Sequence, residues 1–277
     1  MQTAVERWQE LIRARANQMD AAYARLGRTS ADFWDRRARG FHRATRESAT
    51  GDPFYLRLRE QLTPQSSVLD VGAGTGRFAL ALAPYARQVT ALEPNAAMLS
   101  YLRQEVEACG VTNLVTVQST WEDAPADLWA DVVLCSHVLY PILDIEPFLK
   151  KLHAASKQAC YLYLRAASLD TITAPLWQHF HGDERHFTPG YIHALDVLYE
   201  LGIYAQVETV TAPFSWSYPS LQDAEDELME QLILEESTQT RRELRELLEN
   251  WLIKGDDQSR HSPEWQSTLA ILWWNTN

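Results

Sequence analysis

Residues 68–78, Val-Leu-Asp-Val-Gly-Ala-Gly-Thr-Gly-Arg-Phe, constrain the fold of this chain more than any other stretch. An apolar strand ends in an acid, glycines follow at alternate positions, and a helix begins. Glycine is required where a backbone turns sharply or a ligand must approach the main chain without a Cβ in the way. The amides that open the next helix point into the same crevice. A second buried run, Val89-Thr90-Ala91-Leu92-Glu93, also ends in a carboxylate, 23 residues after Asp70. That spacing puts the tip of a second parallel strand beside the first, where a carboxylate can accept both hydroxyls of a ribose. Two phosphate-binding loops fail on spacing. Gly76 is followed by Arg77 and Phe78 rather than Lys and Ser/Thr, and the turn reads Gly-x-Gly-x-Gly rather than Gly-x-Gly-x-x-Gly. Asp70 would repel a pyrophosphate and would suit an ammonium group. The predicted ligand has a ribose, a cationic group and no phosphate.

From Ser67 onward, apolar runs of four to seven residues alternate with amphipathic stretches of helix length, the rhythm of a parallel sheet with helices on both faces. Strands are expected at Ser67–Val71, Gln88–Glu93, Leu114–Ser119, Ala130–Ser136, Ala159–Arg165, Tyr204–Ala212 and Thr268–Trp274. Helices are expected near Gly76–Ala83, Ala96–Ala108, Ile145–Ala155 and Gly190–Leu201. The N-terminal region 1–62 reads as helical, with amphipathic stretches over 3–27, from Ser30 or Asp32 to about Ser48, and over 54–62. Residues 63–277 then form the α/β domain. A helical insertion at 220–255 breaks the rhythm, with capping boxes read at Ser220–Asp223 and Thr240–Glu243 and an apolar stripe of Leu244, Leu247, Leu248, Trp251 and Leu252. The expected architecture is a three-layer α/β/α sandwich with a seven-stranded, mostly parallel sheet and an antiparallel last strand. The N-terminal helices and the insertion cap it.

Residues 67–166 resemble the core of the class I S-adenosylmethionine-dependent methyltransferases, in the group that acts on small molecules. The resemblance implies S-adenosylmethionine as cofactor and S-adenosylhomocysteine as product. Gly72, Ala73, Gly74 and Gly76 would then underlie the methionyl part, with Asp70 near its amino group. Glu93 would hold the ribose hydroxyls, and Pro94 and Met98 would flank the adenine. Thr120, Trp121 and Glu122 match the segment that usually meets the adenine edge, although Thr120 stands where an aspartate is frequent. The adenine amino contact would then fall to Glu122 or a main-chain carbonyl. Ser136 and His137 match the end of the fourth strand, which faces both cofactor and acceptor.

Methyl transfer to a small organic O, N or C nucleophile needs an acceptor held about 3 Å from the methyl in a site closed to water. A base is needed only if the acceptor keeps a proton at neutral pH. His137 is the best-placed candidate base, read equally as a cofactor contact or a structural loop residue. Tyr140 is expected to line the pocket. Trp34, Phe41, Trp177 and Trp216 fall in segments expected to overhang the carboxyl ends of the strands, with Trp34 and Trp216 in a lid, and His181 is a candidate acceptor contact from the loop that follows the fifth strand. His179, His181, Asp183, Glu184 and His186 form a loop facing substrate or solvent, with no standard metal spacing and hence no metal expected. A catalytically silent cofactor-binding sensor or scaffold is a rival reading, and a nicotinamide-dependent reductase a more distant one.

Net charge of −12, from 25 basic and 37 acidic residues, argues against nucleic acid as the partner. Residues 1–50 run against that balance, with ten arginines and six acids. Cys109, Cys135 and Cys160 are too scattered for a disulfide framework. No signal-peptide or membrane-spanning pattern appears, so a cytoplasmic monomer or homodimer is predicted.

Overall fold

The computed structural model describes residues 2–29 and 49–276. The helix expected from Ser30 or Asp32 to Ser48, including Trp34, lies outside the described residues. The described helices are α1 (Ala4–Arg25), α2 (Pro53–Gln61), α3 (Arg77–Leu82), α4 (Ala96–Ala108), α5 (Ile145–Ala155), α6 (Asp170–His181), α7 (Tyr191–Glu200), α8 (Leu221–Gln231) and α9 (Thr238–Trp251). The strands are β1 (Ser67–Val71), β2 (Gln88–Leu92), β3 (Leu114–Val117), β4 (Ala130–Ser136), β5 (Ser156–Arg165), β6 (Gln206–Phe214), β7 (Ser217–Tyr218), β8 (Ile253–Lys254), β9 (Arg260–His261) and β10 (Trp265–Asn275).

Seven strands form one sheet in the order β3-β2-β1-β4-β5-β10-β6, with β10 antiparallel to both of its neighbours and all other pairs parallel. The sequence reading of seven strands with an antiparallel last one is the fold observed. The chain reverses at β1, passing outward through β2 and β3 before returning to β4. This switch point opens a crevice at the carboxyl ends of β1 and β4.

Both faces of the sheet are covered, which is why its inner strands are continuous apolar runs. Trp8 and Ile12 of α1, Phe148, Leu149 and Leu152 of α5, and Val197 and Leu198 of α7 pack on Val133, Cys135, Leu162 and Leu164. On the opposite face Phe54 and Leu58 of α2, Phe78 and Leu82 of α3, and Leu99 and Leu102 of α4 pack on Val68, Val89, Tyr161 and Tyr163. Burying one such side chain is worth about 1.5–3 kcal/mol, so the two layers dominate stability.

A third core lies outside the sandwich. Ala22 and Tyr23 of α1, Leu176 and Trp177 of α6, Leu228 and Met229 of α8, and Leu244 and Leu248 of α9 are buried together. The expected helical pair is present between β6 and β10, flanked by a three-stranded sheet, β7-β9-β8. Ser220 caps α8 as read, accepting from the Asp223 amide. Thr240 does not cap α9. The helix starts three residues earlier, with Ser237 accepting from the Thr240 amide.

The segment read as a histidine-rich loop is also different. His179 and His181 lie in the last turn of α6, and the αL residue Gly182 ends that helix. Tertiary packing overrides Pro175 and the β-branched Thr171, Ile172 and Thr173. Trp177 is fully buried, with the Arg185 guanidinium 3.6 Å from its ring centroid. Among the described residues, no helix is long and apolar enough to cross a membrane.

Candidate active site

The glycine turn after β1 is built from left-handed backbone, with φ of 76° at Gly72, 57° at Gly74 and 89° at Gly76. The Gly72 and Ala73 amides both donate to the Leu92 carbonyl, at 2.8 and 2.9 Å, which locks the turn to the tip of β2. A Cβ at Gly72 would sit 2.3 Å from a Val138 methyl, so the loop after β4 closes directly on this turn.

Asp70 and Glu93 are buried at neighbouring strand tips, Asp70 opposite Ala91 and Glu93 one residue beyond β2. Glu93 accepts from the Gly74 amide through Oε2 and from the Asn95 amide through Oε1, each at 2.9 Å. Burial pushes the Asp70 carboxyl up to about 7, assisted by the Glu93 charge and opposed by the Ala79 amide. Glu93 is also raised, again by burial, against the two amides it accepts from. Among the described residues no lysine or arginine pairs with either acid. Two adjacent, desolvated carboxylates beside an open glycine turn favour a cation and repel a phosphate. Their chemistry fits a positively charged nucleoside.

The remaining predicted cofactor residues lie where α4 begins and in the turn after β3. Asn95 caps α4 by accepting from the Met98 amide; Pro94 is exposed and the Met98 side chain is buried. Thr120 closes a turn on Asp123, its hydroxyl accepting from the Asp123 amide and donating to the carboxylate. Trp121 points into the core, its indole N–H donating to the Phe148 carbonyl at 3.3 Å and its ring meeting Phe148 edge-on. Lys151 gathers the carbonyls of Trp121, Glu122 and Ala124. The Glu122 side chain is exposed, and among the described residues its carboxylate has no hydrogen-bond partner.

On the other side of the crevice, His137 has a φ of 58° just past β4, and its amide donates to the Tyr163 carbonyl at 2.9 Å. A left-handed non-glycine residue at a strand tip is strained and is held by its surroundings. The Tyr140 hydroxyl accepts from the Arg165 amide at 2.9 Å and lies 2.9 Å from His137 Nδ1. When the phenol donates its own proton to Nδ1, the hydrogen of the neutral ring lies on Nε2. Burial, with the Arg165 and Arg77 charges, drives the imidazole down to about 3. Such a ring is neutral and weakly basic, which is a poor match to the base role expected of His137.

Sequence reasoning missed Asp52, Arg77, Tyr163 and Arg165. Asp52 caps α2 through the Phe54 amide and pairs with Arg77 at 2.8 Å, tying α2 to the first residue of α3. Tyr163 stacks on Phe54 with centroids 4.6 Å apart and faces His137 at 5.0 Å. Arg165 ends the apolar run of β5 with a charge, as Asp70 and Glu93 end theirs, and that signal was available in the sequence.

His181 and Trp216 belong to the cap. His181 Nε2 donates to the Leu232 carbonyl at 2.7 Å and its ring stacks on Trp177. Trp216 lies 5.7 Å from Trp265 and 6.5 Å from Trp251. Neither touches the strand tips. Among the described residues, no group of three His, Cys, Asp or Glu side chains is arranged to hold a metal ion.

Residues 68–159 match the family model described as a methyltransferase domain. An uncharacterised protein of Haemophilus influenzae is 28% identical over 248 residues, covering 83% of this chain and 85% of its own. The uncharacterised methyltransferase YcgJ of Bacillus subtilis is 26% identical over 112 residues, covering 40% of this chain and 44% of its own. The crystal structure of YcgJ superposes with a TM-score of 0.53 at 16% identity, covering 79% of this chain and 96% of that one. A putative methyltransferase from Bacillus halodurans gives the same score and identity, over 80% and 96%. These two structures share the fold. The sheet order and flanking helices are those of the Rossmann-like fold. The chain carries a methyltransferase domain over residues 68–159.

Proposed function

We propose that the protein moves the methyl group of S-adenosylmethionine to an O, N or C atom of a small organic acceptor, by in-line displacement, in the crevice between the glycine turn and the β4–β5 tips. The observation that carries this reading is the buried Asp70–Glu93 pair beside a turn whose Gly72 leaves no room for a side chain. Bound there, the cofactor supplies an electrophilic sulfonium methyl whose leaving group, a neutral thioether, needs no acid.

This chain's residues then bind, orient and exclude. Glu93, fixed by two backbone amides, presents its remaining lone pairs to the ribose hydroxyls. Asp70 faces the ammonium, with the backbone of Gly72, Ala73 and Gly74 beneath the methionyl chain. Pro94 and Met98 flank the adenine, and Glu122 accepts from its amino group. Val138 seals the turn from the acceptor side. His137 presents an Nε2 hydrogen to the acceptor and orients it as a donor. The catalytic contribution of such a site is chiefly positioning and exclusion of water.

Titration of the full-length protein with S-adenosylhomocysteine tests the reading. One tight site is expected, weakened at least tenfold in Glu93→Gln. No uptake by folded protein, or stabilisation by NADH instead, overturns it.

A further inference from the structure

Arg165 is a largely buried cation that the methyl-transfer reading does not use. It is the last residue of β5, on the same sheet face as Tyr161 and Tyr163. Its guanidinium donates to Ser267 Oγ at 3.2 Å and lies over the Phe214 ring, 5.4 Å from the centroid. Among the described residues no carboxylate pairs with it. A largely desolvated guanidinium without a carboxylate partner carries a penalty that an incoming anion removes, and among the described residues this one meets a hydroxyl, a ring and the nearby Tyr140 and Tyr163 phenols. Burial lowers the pKa of its guanidinium, as does the nearby Arg77 charge. Arg77 is already neutralised by Asp52, so the local excess is one positive charge.

A second buried polar group lies next to it. The Tyr163 hydroxyl makes no hydrogen bond of good geometry among the described residues, and burial, then the Asp52 carboxylate close by, keep the phenol protonated. Arg165 and Tyr163 both lie at the carboxyl edge of β5, two strands from β1. At about 4.8 Å per strand this is on the order of 10 Å from the glycine turn, on the acceptor side. Beyond the guanidinium, Phe214 meets Trp265 at 5.0 Å, and Trp265 meets Trp216 in the cap.

Resting on the methyl-transfer reading, we propose that the acceptor is an organic carboxylic acid with an apolar or aromatic body. Arg165 binds its carboxylate, the Tyr163 hydroxyl donates to the same group, and the Phe214–Trp265–Trp216 run receives the body. One net positive charge with a planar two-donor fork suits a carboxylate monoanion better than a phosphate dianion.

The test uses the full chain saturated with S-adenosylhomocysteine, titrated with benzoate, indole-3-acetate, their primary amides and phenyl phosphate. At least one carboxylate is expected to bind tenfold or more tightly than its amide. Arg165→Gln should abolish that preference and Arg165→Lys restore part of it, with affinity for S-adenosylhomocysteine unchanged in both. Three results overturn the proposal: acids and amides binding alike or not at all, preference for the phosphate, or a parallel loss of S-adenosylhomocysteine binding in Arg165→Gln, which would assign the arginine to the cofactor's own carboxylate. Failure of the wild type to take up S-adenosylhomocysteine would instead sink the methyl-transfer reading and this inference with it.

Discussion

Val138 and Gly72 are packed so closely that the loop after β4 and the turn after β1 act as one wall, with a hypothetical Gly72 Cβ only 2.3 Å from Val138 Cγ2. Gly72→Ala adds a steric conflict to a left-handed residue, which alone costs about 1–2 kcal/mol. Stability should fall by about 1–3 kcal/mol in denaturant titration, and S-adenosylhomocysteine should bind at least tenfold more weakly. Adding Val138→Ala should recover part of the stability, because it relieves the clash but not the backbone strain. Full recovery would show that φ at position 72 is unimportant.

Asp70 couples cofactor binding to protons. Its carboxyl is raised to about 7, so the folded protein holds a proton that the unfolded chain gives up near pH 4. The associated stability is fully present below about pH 4 and is lost as pH rises through 7. Asp70→Asn should flatten that decline in thermal melts. A ligand ammonium favours the ionised acid, so binding at pH 6 should release a proton, detected by calorimetry in buffers of different ionisation enthalpy. Release that is equal at pH 6 and pH 9 would exclude Asp70 as its source.

The parts of this fold that were legible are those whose signal is local. β1, β4, α4 and α5 fall at the bounds read from sequence, because uninterrupted buried runs and amphipathic stretches are written in consecutive residues. The Asp70 and Glu93 tips were legible for the same reason. Arg165 was legible only as a charge closing an apolar run; its surroundings were not, because Ser267 and Phe214 come beside it only when β10 and β6 complete the sheet. Helix α6 was hidden by Pro175 and three β-branched residues, and it exists because Trp177 finds the third core. Thr240 with Glu243 fits the capping box by spacing, yet α9 starts from Ser237, which has no such partner three residues on.

His137 should be silent in the activity profile. With its imidazole held down to about 3, it stays neutral from pH 5 upward. A pH profile of kcat/KM should therefore lack an inflection near 6.5 that disappears in His137→Gln. The linkage runs opposite to that of Asp70: this depressed group contributes stability present above about 6.5 and lost as pH falls toward 3. His137→Gln should thus protect against acid unfolding relative to the wild type, measured between pH 6 and pH 3. An activity inflection that tracks this side chain would restore it as a base.

The cap should fail separately from the sandwich. Glu225 of α8 is 2% exposed and accepts from Arg241 at 2.9 Å and Arg245 at 2.8 Å, both on α9. Removing one partner of a buried ionic cluster costs up to about 3–5 kcal/mol, less here because both arginines keep partial contact with water. Arg241 also retains Asp226 and Glu236 as partners. Glu225→Ala should therefore loosen the α8–α9 pair by about 1–3 kcal/mol. Leu248→Ala, which empties part of the same core, should cost about 2–5 kcal/mol. In both variants amide exchange should rise first over residues 221–252, while affinity for S-adenosylhomocysteine, whose predicted contacts all lie at the strand tips, stays within twofold. If exchange rises equally in β1 and β4, the cap and the sandwich unfold as one unit, and the third core is a continuation of the first two.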